Sequence, residues 1–172
     1  IGQAYQIVLS HRCAYSCGYC EFPHTPSPQL PSKSTVLRQA CIGQRQGANQ
    51  VVLTSGSAID THNEIITAVR FLGYSNWVNY LYSLCDALLK GKKGPHGAMF
   101  PVLDVGGLSV FEFRKLRGIC PVMRLMLHSA DVTLQNQMAH MNARHKTPSQ
   151  CLKFLESMGR VGIATVTGIR VG

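Results

Sequence analysis

The chain has 172 residues, room for one ordinary domain and too little for two. Its residues are 45% apolar, with 16 glycines and 8 prolines spread along the chain, which excludes a disordered, collagenous or low-complexity protein. Seventeen Lys and Arg against eight Asp and Glu leave a net charge of +9. That excess favours an anionic ligand, nucleic acid or an acidic partner without choosing among them. No apolar run is long enough to span a membrane, and the opening Ile1-Gly2-Gln3-Ala4-Tyr5-Gln6 carries neither a methionine nor the basic and apolar parts of a signal peptide. The expectation is a soluble, cytoplasmic protein of which residues 1–172 form the N-terminal part of one core domain, truncated at its C-terminus.

In chain order, Tyr5 to Ser10 reads as a short buried strand running into a cysteine-bearing loop, His11 to Phe22. Four prolines between Pro23 and Pro31 forbid regular structure before a helix that starts near Ser32 or Ser34 and ends at Gly47. Val51 to Thr54 is a second strand, closed by Ser55-Gly56-Ser57. Asp60 or Thr61 is placed to cap a helix that ends at Gly73. Trp77 to Leu89 is helical, and the basic turn Lys90 to Pro95 breaks it. Met99 to Val105 is a third strand, Ser109 to Gly118 a helix, Val122 to Leu127 a fourth strand, Pro148 to Met158 a helix and Val161 to Val166 the last strand. Continuous apolar strands alternating with helices mark parallel strands covered on both faces. Four to five βα units are present where a closed eight-stranded barrel needs about 250 residues, so the expected fold class is α/β, a partial TIM-like (βα) barrel.

Seven cysteines, an odd number, do not resemble a secreted disulfide framework. Cys13, Cys17 and Cys20 crowd together at separations of four and three residues, with Gly18 as a permissive joint between the last two. Three thiolates are one short of a closed zinc or iron–sulfur site, so one iron of a [4Fe-4S] cube is left open to a small-molecule chelate. Zinc completed by His11 or His24 is the competing reading of the same residues. Cys41, Cys85, Cys120 and Cys151 are far apart among apolar positions and read as buried structural thiols.

The loop Cys13 to Phe22 resembles the CxxxCxxC loop of radical S-adenosylmethionine (SAM) enzymes. Its Cys-Gly-Tyr-Cys-x-Phe ending is similar to the deazaflavin (FO) synthase branch, the CofG-type subunit in particular. Looser similarity extends through Leu53-Thr54-Ser55-Gly56, Leu125-Met126-Leu127 and Thr167 to Gly172, which is similar to a TGxxxG segment. The resemblance implies a barrel holding a [4Fe-4S] cluster on Cys13, Cys17 and Cys20, with SAM on the open iron. Reductive cleavage of SAM to a 5′-deoxyadenosyl radical is then implied, in a lyase-type ring closure of a hydroxybenzyl-ribityl-diaminouracil substrate that releases ammonia on the way to coenzyme F420. It also implies an electron donor such as ferredoxin or flavodoxin and a CofH-like partner enzyme. Arg12 is placed to help hold an anionic cluster. Tyr19 is a candidate to stack on adenine or to pack the loop. Gly56 either lets backbone approach the SAM amino group or ends a strand, and Thr167 and Gly168 either touch adenine and ribose or cap a helix.

Three positions depart from the family pattern. Ser57 stands where an acidic residue usually follows the β2 glycine, His128 stands where a Glu follows Met-Leu, and Pro101-Val102-Leu103 replaces Pro-His-Thr. Ser57 is a weaker acceptor for an ammonium than a carboxylate, and a protonated His128 competes with one. A degenerate iron–sulfur or zinc protein without turnover, or a radical enzyme acting on RNA, remains the alternative. No aromatic-interleaved basic stretch supports nucleic-acid binding, no phosphate loop is present, and Gly106-Gly107 is too ordinary a pair to count as one.

Overall fold

The computed structural model describes residues 2–27, 29–91, 97–134, 143 and 146–169. Five strands, β1 (Gln3–Ser10), β2 (Ala48–Ser55), β3 (Phe100–Asp104), β4 (Val122–Arg124) and β5 (Ala164–Val166), lie side by side in sequence order, and every neighbouring pair is parallel. The connections carry the helices α1 (Lys33–Arg45), α2 (Asn63–Phe71), α3 (Trp77–Lys90), α4 (Val110–Leu116) and α5 (Pro148–Val161). This is the open, partial βα barrel that the alternation of strands and helices predicts. Among the described residues no helix is long and apolar enough to cross a membrane.

Parallel pairing with a two-residue side-chain period separates the faces of the sheet. Ile7, Leu53, Leu103 and Met123 are cross-strand partners in one register row. They are almost wholly buried with Leu81, Leu84 and Leu88 of α3 in one apolar core. The opposite face turns polar toward the C-terminal ends of the strands. There Gln6 Nε2 donates to Thr54 Oγ1 (3.1 Å), Thr54 pairs in register with Asp104, and Arg124 Nε lies 3.7 Å from Asp104 Oδ2.

Local chemistry sets most boundaries. Ser32 caps α1 by accepting from the Thr35 N–H, and Ser109 with Glu112 and Thr147 with Gln150 form reciprocal capping boxes at α4 and α5. Three expectations are corrected. His62, not Asp60 or Thr61, is the N-cap of α2, because residues Ile59–Thr61 are spent in a separate 3-10 turn that follows the left-handed Ala58. The fourth strand ends at Arg124 rather than Leu127. Beyond it Leu125 N–H still reaches Val166 O and His128 N–H reaches Gly168 O in an isolated parallel bridge between His128 and Ile169, with His128 itself left-handed. The last strand starts at Ala164 and not Val161, since α5 runs through Val161 and is closed by Gly162 at φ 79°, whose N–H reaches back to the Gly159 carbonyl. The basic turn at 92–95, Pro28, His96, His140, His145 and residues 170–172 lie outside the described residues.

The packing of α1 on β1 depends on the absence of one side chain. A Cβ at Gly43 would sit 2.3 Å from Tyr5 Cγ and 2.5 Å from Tyr5 Cβ. Gly43→Ala is expected to destabilise the fold by about 1–3 kcal/mol by overpacking, although alanine is the better helix former. In a Tyr5→Gly background, which removes the Cβ as well as the ring, the same change should be near neutral or stabilising, as denaturant unfolding of the four proteins will show.

Candidate functional site

The cysteine loop leaves the C-terminal end of β1 and crosses the mouth of the open sheet. At its start it is clamped to the turn after β2. Ser57 N–H donates to Cys13 Sγ (3.3 Å), Ala14 N–H donates to Ser57 O (2.9 Å), and Tyr15 N–H also reaches Cys13 Sγ (3.4 Å). Gly56 makes this clamp possible, because a Cβ there would stand 2.0 Å from the Arg12 carbonyl oxygen and 2.6 Å from Cys13 Cβ. Ser57 in turn lies on the loop after β3: a Cβ at Gly106 would meet Ser57 Oγ at 2.4 Å, and Ala58 N–H donates to Gly106 O. Gly106-Gly107 is thus a packing pair that receives the β2 exit.

At its far end the loop meets the other side of the mouth. The Tyr19 ring lies 5.0 Å from the His128 ring, the His128 N–H donates to Gly168 O (3.1 Å), and Gly168 rests on Met126. Thr167 is exposed beside it. The sequence-derived residues therefore fall into two groups, Cys13 with Gly56 and Ser57, and Tyr19 with His128 and Gly168, joined by the loop that carries Cys17 and Cys20. Arg12 does not turn toward the thiols; its guanidinium pairs with Glu64 of α2 at 2.7 Å.

Three residues at this mouth carried no motif in the sequence. Lys146, just before the α5 cap, donates from Nζ to Tyr19 Oη (3.3 Å). Asp104 and Arg124 form the ion pair at the strand ends. An acid closing an apolar strand at the C-terminal end of a parallel sheet is the one signal that pointed to Asp104. Burial pushes the Cys17 thiol up, against the pull of Lys146 and of a hydrogen bond with Tyr19. Burial likewise raises the Asp104 carboxyl, outweighing Arg124 and Lys146. Tyr15 is raised by burial and by the neighbouring cysteines.

Among the described residues no three Cys, His, Asp or Glu side chains are gathered at metal-binding distance. The donor chemistry nevertheless fits an iron–sulfur cluster. Three thiols share one loop in which Cys13 and Cys20 act electrostatically on Cys17, and Cys13 Sγ already accepts two backbone N–H groups of the kind that tune cluster potentials. Closing such a loop on a metal is coupled to binding it. His11 and His24 line a cavity of about 400 Å³ together with His62 and with Cys13 and Ser16 of the cysteine loop, and His11 Nδ1 is engaged with the Pro26 carbonyl.

The chain is homologous to 7,8-didemethyl-8-hydroxy-5-deazariboflavin synthases, which are of the radical SAM type. It is 29% identical over 170 residues to the synthase of Methanobrevibacter smithii, an alignment covering 96% of this chain and 49% of the relative. With the synthase of Methanocaldococcus jannaschii it shares 30% over 166 residues, covering 96% and 45%. The chain thus spans about half the length of the curated relatives it matches. No family model matches it. In fold it is similar to HydG, a maturase of the [FeFe]-hydrogenase, with a TM-score of 0.75 at 14% identity over 96% of this chain and 34% of that one. The HydG of Carboxydothermus hydrogenoformans gives 0.67 at 15% identity.

Two outcomes test the geometry. Gly56→Ala should displace the cysteine loop and lower stability by about 1–3 kcal/mol, with faster hydrogen exchange at the Ala14 and Ser57 amides. Gly118→Ala, with open space where its Cβ would stand, should stay within about 0.5 kcal/mol. Asp104 has a carboxyl raised above its ordinary 3.8, so the folded chain binds that proton more tightly than the unfolded one. Its contribution is full below the ordinary value and is lost as pH rises through the folded one. The stability of the native protein relative to Asp104→Asn should therefore fall as pH rises above the ordinary carboxyl value of 3.8, measured by urea unfolding at a series of pH values.

Proposed function

We propose that the protein is a radical SAM enzyme of the deazaflavin synthase type, with Cys13, Cys17 and Cys20 as the cluster ligands. The observation that carries this reading is the cysteine loop seated across the C-terminal mouth of a parallel βα sheet and clamped there by Gly56 and Ser57. When bound, the cluster and SAM supply a one-electron cleavage that equips the site to remove a hydrogen atom from substrate. The protein's own residues do the rest. The Ser57 and Tyr15 N–H groups orient the Cys13 sulfur, and Tyr19 against His128 walls the loop on the β4 side. Thr167 and Gly168, just after β5, would hold an adenosyl group. The row Gln6, Thr54, Asp104 and Arg124 presents donors and acceptors beneath the loop for a polar small-molecule substrate.

The substrate proposed is of the hydroxybenzyl-ribityl-diaminouracil type, closed to a deazaflavin with release of ammonia, with ferredoxin or flavodoxin as electron donor. The similarity to deazaflavin synthases over 96% of the chain supports it.

Anaerobic reconstitution with iron and sulfide should give about four of each per chain, and the electron paramagnetic resonance signal of the reduced cluster should change on adding SAM. Cys17→Ala should abolish iron uptake and Cys85→Ala, in the apolar core, should retain it. One tightly bound zinc with no cluster uptake would overturn the reading. SAM cleavage without deazaflavin formation would overturn the substrate and leave the cluster chemistry standing.

A further inference from the structure

Lys146 is oddly placed for a residue whose only task is to start a helix. Thr147 caps α5 with its side chain, and Gln150 completes the box, so the helix is already capped without Lys146. A cation next to a helix N-terminus opposes the helix dipole rather than complementing it. The backbone at this point is nevertheless fixed, with Lys146 N–H donating to Ala143 O at 2.8 Å. The side chain is half-buried and runs to the cysteine loop, 127 residues away in sequence, where Nζ donates to Tyr19 Oη. Tyr19 sits between Cys17 and Cys20, is braced by the His128 ring, and hydrogen-bonds Cys17. One ammonium, one phenol and one thiol therefore form a chain across the mouth.

We propose that Lys146 is a positioning residue for the cysteine loop: through the Tyr19 hydroxyl it fixes Cys17, and its charge offsets the negative charge that thiolate ligation brings to a partly buried site. The proposal rests on the reading of the three cysteines as cluster ligands. Reduction adds one more negative charge, so a fixed cation beside the cysteine loop favours the reduced form and raises the potential. A lysine is needed for its charge and for a donor long enough to reach across from α5. An arginine keeps both.

The experiment compares the wild-type chain, Lys146→Met, Lys146→Arg and Tyr19→Phe, each reconstituted anaerobically with iron and sulfide and titrated against dithionite. Apo-protein circular dichroism and thermal unfolding are recorded alongside. Lys146→Met is expected to bind at least two-fold less iron and to show a more negative midpoint potential, with the apo fold unchanged. Lys146→Arg should restore both values, and Tyr19→Phe should lose iron retention without loss of helix, which keeps the test alive if Lys146→Met fails to fold. Iron content and potential in Lys146→Met equal to wild type would overturn the proposal. Equal losses in Lys146→Arg and Lys146→Met would overturn it too, since the charge is then not what matters. A wild-type chain that takes up no iron would instead overturn the cluster reading on which the proposal stands.

Discussion

The close approach of Gly56 to the Arg12 carbonyl is the constraint on which the site depends. Strands β1 and β2 are the two longest of the sheet and pair along their whole length. Their C-terminal ends must therefore emerge side by side, and the loops that follow them compete for the same space. Only a residue without a Cβ lets the β2 exit pass under the start of the cysteine loop. Once it does, the Ser57 N–H falls on Cys13 Sγ and the Ser57 carbonyl on the Ala14 N–H. A packing requirement thus becomes a sulfur held by fixed donors. The same logic repeats one strand along, where Gly106 and Gly107 make room for Ser57 and Ala58. The mouth of the sheet is a stack of loops, each seated on a glycine of the next.

The electrostatics follow from this geometry more than from the net charge. The overall +9 is a property of the whole chain and does not say which cation stands at the thiols. Arg12, the cation nearest in sequence, is drawn away by Glu64 into an exposed pair that contributes little to stability. Lys146 and Arg124 arrive from distant points in the sequence and face a partly desolvated region, where charge interactions are stronger than at the surface. Asp104 is flanked by both and still has its carboxyl raised, so burial dominates there. A polar row that is hard to desolvate is kept at the strand ends because the layer below it is filled by apolar partners such as Val52 and Val102.

What was legible in the sequence divides along physical lines. Patterns written within a few residues were readable: the apolar runs of β1 and β2, the Ser32 and Ser109 caps, and the three cysteines with their spacing. Patterns that depend on what packs across the sheet were not. The α2 cap was misplaced because Asp60 and Thr61 look like capping residues, and only the left-handed turn at Ala58 shows that they are used up before the helix begins. Val122 to Leu127 reads as a six-residue strand, yet its ladder with the three-residue β5 stops at Arg124. Gly56 was visible as a special position, but its neighbour was not, since a close approach to Arg12 is a fact of register. Lys146 could not be found at all, for nothing local distinguishes it.

The unequal strand lengths give the site a direction. Eight residues each in β1 and β2 fall to five in β3 and three each in β4 and β5, so backbone pairing thins steadily across the sheet. Local opening costs least where the fewest bonds and buried contacts must be broken. Cys13 is tied to the densely bonded side through Ser57, whereas Cys17 and Cys20 face the sparsely bonded side through Tyr19 and His128. His128 also holds a left-handed backbone conformation, an unfavourable geometry that its bond to Gly168 helps sustain. A loop anchored at one end and supported at the other by side chains can close on a metal without disturbing the strands beneath it. The support then has to come from an element with its own stability, and α5, capped at both ends and packed on the core through Met158 and Val161, is that element. Lys146 is the point at which α5 reaches the loop.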